Sequence, residues 1–512
     1  MRGYVAVPIT AACLYSLFVG ATSPCARQAA AEIEKRREGV DRSTVAKPAA
    51  ARKLSELESK RREMGDRMDR QGLRERRTAV AEQSKEMLRV PEQISAKAGF
   101  TVARAEPKVE MLVVPVEPRY FPEPKADHLP SGLWSAWSQG SYFAPTGKFY
   151  AALGNHIYYD ARIHILEYDP GSRSIRLTPN INEALGRGPD DFGDGKIHGW
   201  MDFYNGAETY FCTYWCHYPE PDEEEYRSGY EGGRLMSYNV VTGKFTDFGT
   251  PLRRTSWCYH RMDRRRGLLF AVGVFREFLC YDVANRRTLW AGYPPDGLTW
   301  YERNMLVDEE TGCAYSSNAD PSDPEAHIVR YNALTGRFYR MKCSVPKNEL
   351  TGEVGQVRAH TGRRAREGWF LCAALGGQMF KFYPDEERVE DMGICWRGDA
   401  RRLYTTSIAI SPDDRYCYYV PGAHGQSHYE GTPIIQLDTR SGERKVLAFL
   451  YPYFYDKYGY IPSGTFSIDI DDRGERLFIL FNGAFSEFRD DGADVFGDPA
   501  VFVIHIPESE RT

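Results

Sequence analysis

Residues 235–249 read LMSYNVVTGKFTDFG, a short apolar strand followed by a polar turn and a second short strand. Six other segments of the chain follow the same template without gaps, and the anchors recur every 43 to 70 residues. The seven copies predict a repeat protein, since self-similarity at such a period is typical of repeated supersecondary units. The aligned anchor residues of the seven copies are Tyr168, Tyr238, Tyr281, Tyr331, Phe382, Leu437 and His505.

The turn of the template explains why it folds as a hairpin. Asp or Asn follows the anchor in five copies, where its side chain can bond the turn backbone. Gly243, Gly336 and Gly442 fall on one aligned position and supply the positive φ of a tight turn. A unit of this length holds about four short strands, the size of one propeller blade. The repeats therefore predict an all-β, seven-bladed β-propeller over residues 131–512, with Met111–Val116 as a ring-closing strand.

Composition supports this fold class and excludes one class of partner. The 512 residues are 13% aromatic and include 46 Gly, a combination typical of all-β architectures. The formal net charge is −5, whereas proteins that bind nucleic acid usually carry a basic face or stripe. We therefore expect no nucleic-acid partner.

The first 130 residues differ from the rest. Residues 1–21 have one charge before an apolar stretch and predict a cleaved signal peptide, hence export to a periplasm or the extracellular space. An uncleaved signal anchor in a membrane is the alternative. Residues 22–105 contain a run rich in Lys, Arg and Glu with a thin apolar stripe, which predicts a helical or disordered stalk that could oligomerise the protein. Residues 106–130 form a Pro-rich linker that includes the closing strand.

The turn SPDDRYCYY (411–419) and the hairpins of the type YN-x-x-TGKF resemble those of secreted YVTN-type and quinoprotein-dehydrogenase-like β-propellers. The resemblance covers residues 131–512 and rests on turn motifs. It implies the propeller fold and leaves the activity open, because one fold hosts many functions.

A ligand of a propeller usually lies at one mouth of the central channel, on loops next to the innermost strands. We expect the innermost strand to be the first strand of each blade along the chain. Polar residues cluster at the starts of several of these strands. Three of them are histidines in a chain that has only 11. The predicted catalytic or binding residues are His198, Tyr259, His260, Arg303, Arg358 and His360.

Two classes of function fit these residues. The first is a binding or scaffold propeller whose mouth holds a carbohydrate or protein ligand without catalysis. The second is a polysaccharide lyase, in which a histidine removes the proton next to a uronate carboxylate, Arg303 or Arg358 holds that carboxylate, and Tyr259 protonates the leaving oxygen. A quinone-dependent dehydrogenase or a lactonase is a third alternative.

A metal site is predicted from a second resemblance. The chain is similar in architecture to oligogalacturonate lyases, seven-bladed propellers that hold a divalent metal through histidines and a glutamine. The loop GAHGQSHYEG (422–431) offers the same residue types. The similarity implies Mn²⁺ or Ca²⁺ bound by His424 and Gln426, while His428 is expected to be exposed.

Overall fold

The computed structural model describes residues 79–94, 99–116, 134–155, 161–215, 226–227, 229–397, 403–485 and 495–511. They form seven sheets arranged as a seven-bladed β-propeller, which confirms the predicted fold class. The predicted signal peptide, residues 22–78 of the charged segment, and residues 117–130 of the linker lie outside the described residues. In the part of the chain that is described, no helix is long and apolar enough to cross a membrane.

In blades 1–5 each sheet is antiparallel and its strands follow one another along the chain, whereas blades 6 and 7 also take up strands from the N-terminal part of the chain. Blade 1 consists of Ser135–Ala136, Ser141–Phe143, Lys148–Gly154, Ile163–Asp169 and Ser174–Leu177. Blade 2 consists of Lys196–Ile197, Asp202–Tyr204, Glu208–Tyr214, Leu235–Asn239 and Lys244–Gly249. Blade 3 consists of Trp257–Asp263, Leu268–Gly273, Phe278–Asp282 and Arg287–Gly292. Blade 4 consists of Leu306–Asp308, Cys313–Ser317, His327–Asn332 and Arg337–Ser344.

The remaining blades complete the ring, and the described helices are all short. Blade 5 consists of Val357–His360, Phe370–Ala374, Gln378–Tyr383 and Arg388–Ile394. Blade 6 consists of Ala409–Ile410, Tyr416–Tyr419, Pro433–Asp438 and Arg444–Phe449, and blade 7 of Tyr460–Ile470, Arg476–Phe485 and Ala500–His505. Two α-helical turns lie at Ile181–Ala184 and Tyr453–Tyr458. Four 3₁₀ turns lie at Lys85–Leu88, Glu92–Ile94, Ser427–Glu430 and Glu508–Glu510.

The repeats seen in the sequence are the outer half of each blade. Their anchors lie on the third strand, and the first six are buried between the sheets. Gly243 and Gly336 have φ of 70° and 66°, the left-handed conformation that the hairpin requires. Asn239 accepts hydrogen bonds from the backbone of Val241 and Thr242, so the residue after the anchor holds the turn as expected.

The N-terminal part of the chain closes the ring. Lys108–Val113 pairs antiparallel with Ala500–His505, the last strand of the chain, and becomes the fourth strand of blade 7. The strand begins three residues earlier than the sequence placed it. Its side chains pack on both neighbouring blades: Val109 and Met111 lie in the core shared with blade 6, and Leu112 lies in the core shared with blade 1.

Residues 79–105, which the composition assigned to the charged segment, also belong to the propeller sheets. Val80–Gln83 pairs antiparallel with Lys108–Val113 as a fifth strand of blade 7. Thr101–Val102 pairs parallel with the outer strand of blade 6. Glu82 fixes this segment to the helical turn of blade 7 by bonding Lys457 and Tyr453 at 2.6 and 2.9 Å. Val80–Gln83 and Thr101–Val102 are therefore strands of the propeller sheets.

A buried carboxylate joins the closing strand to its neighbours. Glu110 is 4% exposed and lies 2.7 Å from Lys108, 3.3 Å from Arg173 and 3.2 Å from His505. Burial alone would raise the pKa of Glu110, but hydrogen bonds from His505 and Lys108 outweigh it and lower the pKa to about 2. The ionised form therefore stabilises the closed ring.

Substituting Glu110→Gln is expected to remove part of the acid sensitivity of the protein. Because the folded pKa lies below the ordinary value, the contribution of Glu110 is complete above pH of about 4.5 and is lost as pH falls toward 2. We expect a loss of about 1–3 kcal/mol in the free energy of unfolding at pH 7, after allowance for solvent screening, and a smaller loss at pH 3. Urea unfolding at both pH values measures this loss in the free energy of unfolding. Glu508→Gln, at an exposed carboxylate, is the control, and an equal loss for E110Q at both pH values would contradict the prediction.

Candidate binding site at the channel mouth

The first strands of neighbouring blades contact one another and surround the central channel. In blades 1 and 2 this innermost strand is split in two, and the interruptions fall at residues 137–140 and 198–201. A Cβ atom on Gly199 would overlap the ring of His260. Glycine at this position therefore lets the backbone of blade 2 pass close to the His260 ring of blade 3. The two interruptions place Trp137 and His198 next to each other at the end of the channel where the inner strands begin.

These residues belong to a cluster that we call the mouth pocket. The ring of His198 stacks on Trp137 at 6.1 Å, with an interplanar angle of 12°, and meets Phe466 edge-on at 6.0 Å. Tyr404 meets Phe466 at 6.2 Å. Every blade except blade 3 supplies at least one side chain, directly or from the loop that precedes its innermost strand. The mouth pocket consists of Trp137, Lys196, His198, Arg358, Tyr404 and Phe466, together with Arg303, whose charge acts on His198 and Arg358.

Three cationic side chains enter the mouth pocket. Arg358 is fully buried and donates to the Arg303 carbonyl at 3.1 Å and to the Tyr404 hydroxyl at 2.5 Å. Its guanidinium carbon lies 5.4 Å from the Phe466 ring centre, and its Nη2 has no hydrogen-bond partner. Lys196 lies over the Trp137 ring at 4.9 Å. Cations stacked on aromatic faces are stabilised, but the unused Nη2 donor points to a missing acceptor.

Two other arginines of the propeller are paired with carboxylates. Arg261 is 2.8 Å from Asp202, and Arg364 is 3.2 Å from Asp308. Among the residues that the structure describes, neither Arg303 nor Arg358 forms an ion pair with an Asp or Glu carboxylate within 4.0 Å. Buried charge without a counterion is costly, so proteins rarely keep it unless a ligand completes the pair.

The electrostatics of His198 follow from the same cations. Burial lowers the pKa of His198 well below its ordinary value, and the charges of Arg303, Lys196 and Arg358 lower it further. The imidazole is therefore neutral at neutral pH, with a buried Nδ1 that has no hydrogen-bond partner. A neutral imidazole beside two arginines can accept a proton or a hydrogen bond from a bound anion.

The other two predicted histidines do not join His198, and none of the three hydrogen-bonds another. His260 is fully buried and lies 3.0 Å from the Trp200 carbonyl and 3.4 Å from the Cys212 amide, so both ring nitrogens face backbone atoms. Burial lowers its pKa to about 4. His360 lies 2.7 Å from the Thr361 carbonyl through Nδ1, and burial lowers its pKa to about 3. Both histidines support the structure of the channel wall.

Tyr259 also has a structural partner. Its hydroxyl accepts a hydrogen bond from the Trp200 indole at 2.6 Å, and burial raises its pKa above the ordinary value. The predicted role of Tyr259 as a proton donor at the mouth finds no support in this position. Tyr404 provides a phenol in the mouth pocket, hydrogen-bonded to Arg358.

Trp200 fills the channel below the mouth pocket, and we call it the channel plug. Its ring comes from blade 2 and stacks on His360 of blade 5 at 5.6 Å. The guanidinium of Arg261 in blade 3 lies 4.2 Å from the Trp200 ring and donates to the Gly362 carbonyl at 2.9 Å. Gln139 of blade 1 donates across to Thr406 of blade 6 at 2.8 Å. Side chains of facing blades thus meet in the channel, and the mouth pocket has a floor.

The loop at residues 422–431 reaches the same channel mouth, but the exposure of its two histidines differs from the expectation. His424 is exposed and lies 5.2 Å from Trp137 and 5.3 Å from Phe496. His428 is 1% exposed and lies 2.8 Å from the Ser463 hydroxyl, because the 3₁₀ turn Ser427–Glu430 directs it inward. The expectation of an exposed His428 was therefore wrong.

The predicted metal ligands do not form a complete site. His424 and Gln426 supply one imidazole and one amide. Within the described ranges, no group of three or more His, Cys, Asp or Glu side chains could hold a metal ion. Mn²⁺ and Ca²⁺ prefer several oxygen ligands, and this donor set does not fit them.

Four members of the mouth pocket were missed from the sequence: Trp137, Lys196, Tyr404 and Phe466. Each lies near the start of an innermost strand or within it, the position that pointed to His198 and Arg358. Trp137 in LWSAWSQG and Tyr404 in LYTTSI could have been found by searching the blade starts for aromatic residues as well as for histidines. Aromatic residues are common throughout this chain, which hid the signal.

Fold and site together define a seven-bladed β-propeller with a cluster of cationic and aromatic side chains at one end of its channel. No protein-family model and no curated protein matches the chain. A solved structure titled "Structure of U3-55K" is similar, with a TM-score of 0.45 and 10% sequence identity over 77% of this chain and 98% of the other. A similarity at this level carries no argument about function.

Proposed function

We propose that the protein binds an acidic carbohydrate in the mouth pocket, with the carboxylate of a uronic acid held by Arg303 and Arg358. The observation that carries the proposal is the pair of arginines without a carboxylate counterion among the described residues, one of them fully buried with an unused Nη2 donor. A guanidinium matches a carboxylate in a two-pronged hydrogen-bonded pair. A bound uronate would supply the missing acceptor and the missing negative charge.

The aromatic walls favour a sugar over a small inorganic anion. Trp137 and Phe466 meet at 4.5 Å, with their ring planes inclined by 61°. A sugar ring presents an apolar C–H face that packs on such aromatic surfaces, while its hydroxyls bond polar groups. The exposed ring of His424 and the hydroxyl of Tyr404 provide such polar groups.

Calorimetric titration with monosaccharides tests the proposal. We expect glucuronate or galacturonate to bind, glucose and galactose to bind at least tenfold more weakly, and the affinity for the uronate to fall as salt rises. An aspartate-rich peptide titrated in parallel tests the alternative of a protein ligand. Equal affinity for neutral and acidic sugars would contradict the proposal, as would tighter binding of the peptide.

One observation favours catalysis as a second candidate function. His198 is neutral, so one of its two ring nitrogens carries no proton and can accept one. Tyr404 presents a phenol that is hydrogen-bonded to the guanidinium of Arg358 in the same pocket. In a β-elimination, His198 would take the proton next to the uronate carboxylate while Tyr404 gives a proton to the leaving oxygen. The C–O bond breaks as a carbon–carbon double bond forms. Acidic polysaccharides incubated with the protein would then gain the ultraviolet absorbance of the unsaturated product, and His198→Gln would abolish it.

A further inference from the structure

A second concave site lies on the same face of the propeller, between blades 3 and 4. It has a volume of about 540 Å³, within the range of roughly 300–1,000 Å³ usual for ligand sites. Its residues follow the second strand of blade 3, the fourth strand of blade 3 and the second strand of blade 4. Since these strands run antiparallel to the innermost strands, they end where the innermost strands begin, which is the face that carries the mouth pocket.

We call this site the blade 3–4 groove. Two aromatic rings are unusually exposed in it, Phe275 at 50% and Tyr293 at 66%. Polar side chains provide hydrogen-bonding groups between them. The groove is lined by Phe275, Tyr293, Asp296, Thr299, Asp320 and Ser322.

A buried carboxylate organises the exposed rings. Glu277 is 3% exposed and accepts a hydrogen bond from the backbone amide of Phe275 at 3.0 Å. Burial and the nearby charge of Glu277 raise the pKa of the Tyr293 phenol. An exposed aromatic pair beside a buried acid is a candidate binding surface.

One ion pair lies between the groove and the mouth pocket. Arg276, which lines the groove, lies 3.5 Å from Glu302, and Glu302 directly precedes Arg303 of the mouth pocket. A row of rings runs beneath the surface between the two sites. His198 meets Tyr214 at 6.2 Å, Tyr214 stacks on Trp215 at 5.9 Å, and Trp215 contacts Phe275 at 6.4 Å.

The charges of the two sites differ. The mouth pocket has three cations, whereas Arg276 is paired with Glu302, and the groove also presents Asp296 and Asp320. Hydrogen bonds from Ser322 lower the pKa of Asp320, which keeps it ionised. Carboxylates accept hydrogen bonds from sugar hydroxyls and repel a second carboxylate.

We propose that the blade 3–4 groove binds the neutral sugar units adjoining the acidic unit held in the mouth pocket. The ligand would then be a heteropolysaccharide in which uronic acids alternate with neutral sugars, rather than a polymer of uronic acid alone. This inference rests on the proposed function of the mouth pocket. Phe275 and Tyr293 stack on the sugar rings, and Asp296, Asp320 and Thr299 bond the hydroxyls.

Titration of the full chain with three probes tests the inference: glucuronate, a trisaccharide of glucuronate with two glucose units, and a trimer of glucuronate. We expect the mixed trisaccharide to bind at least tenfold more tightly than glucuronate and more tightly than the trimer. Tyr293→Ala should remove most of this gain and leave the affinity for glucuronate within twofold of wild type. Tyr339→Ala, on the outer strand of blade 4, is the matched control and should keep the gain.

The outcomes separate the two proposals. If glucuronate binds but Tyr293→Ala keeps the full gain, or if the trimer binds best, the inference about the groove is wrong and the mouth pocket stands. If glucuronate does not bind to the wild-type protein, both proposals fail. A melting curve of Tyr293→Ala identical to wild type confirms that any loss arises at the groove.

Discussion

Replacing Arg358 by methionine is expected to weaken glucuronate binding by about 10- to 100-fold, because a hydrogen-bonded contact to a charged group contributes about 1.5–3 kcal/mol. The guanidinium of Arg358 lies over the rings of Tyr404 and Phe466, and an unbranched methionine keeps apolar side-chain volume beside them while removing the charge and its donors. Calorimetric titration measures the loss.

The same substitution should not lower the melting temperature. The substitution removes the hydrogen bonds of Arg358 to Tyr404 and to the Arg303 carbonyl. It also lowers the repulsion among the cations of the mouth pocket. Replacing a buried charge that lacks a counterion by an apolar residue is often neutral or stabilising. We therefore expect a melting temperature equal to or above that of wild type.

Arg287→Met is the matched control, since Arg287 is exposed on the outer strand of blade 3. It should change neither binding nor stability. A fall in the melting temperature of Arg358→Met would show that Arg358 supports the fold. Unchanged affinity for glucuronate would show that the pair of arginines does not hold the ligand.

Deleting residues 108–113 is expected to prevent the ring from closing and to lower the melting temperature by more than any single substitution. Val109, Met111, Leu112 and Val113 are all at most 4% exposed. Each buried apolar side chain of this kind contributes about 1.5–3 kcal/mol, and the net stability of a domain is only about 5–15 kcal/mol. The deletion would also expose the edge of Ala500–His505 and promote aggregation. Thermal melts and size-exclusion chromatography measure both effects.

A peptide spanning residues 106–116 should restore part of the lost stability when added to the deletion variant, because it can pair with the free edge. A peptide of the same composition in scrambled order should not. A deletion variant that melts at the wild-type temperature as a monomer would show that the strand does not hold the ring together.

The fold was predictable because the blades repeat. An anchor such as Tyr238, the residue Asn239 after it and Gly243 in the turn form a local pattern that needs no knowledge of the rest of the chain. Val80–Gln83 and Thr101–Val102 carry no such pattern. They are short and alternate between half-buried and exposed positions, so only their partners in blades 7 and 6 define them as strands.

The site was predictable only to the level of its region. The blade starts indicated where polar residues gather but not which neighbours each side chain meets. His198 lies in the mouth pocket, while Trp200, two residues later, fills the channel below it, because contacts across the ring decide their neighbours. His260 and His360 face backbone carbonyls for the same reason. These neighbours depend on contacts between different blades, and a single sequence contains no signal of such contacts.

The closing strand also determines when this protein can fold during its synthesis. Met111 leaves the ribosome well before its partner Phe502, which is roughly 390 residues further along the chain. Until Ala500–His505 has been made, the early strand can pair only with Val80–Gln83, and the blades form an open arc. The ring therefore closes only after Ala500–His505 has been made, and a product truncated before this strand exposes an unpaired edge that quality-control proteases can recognise.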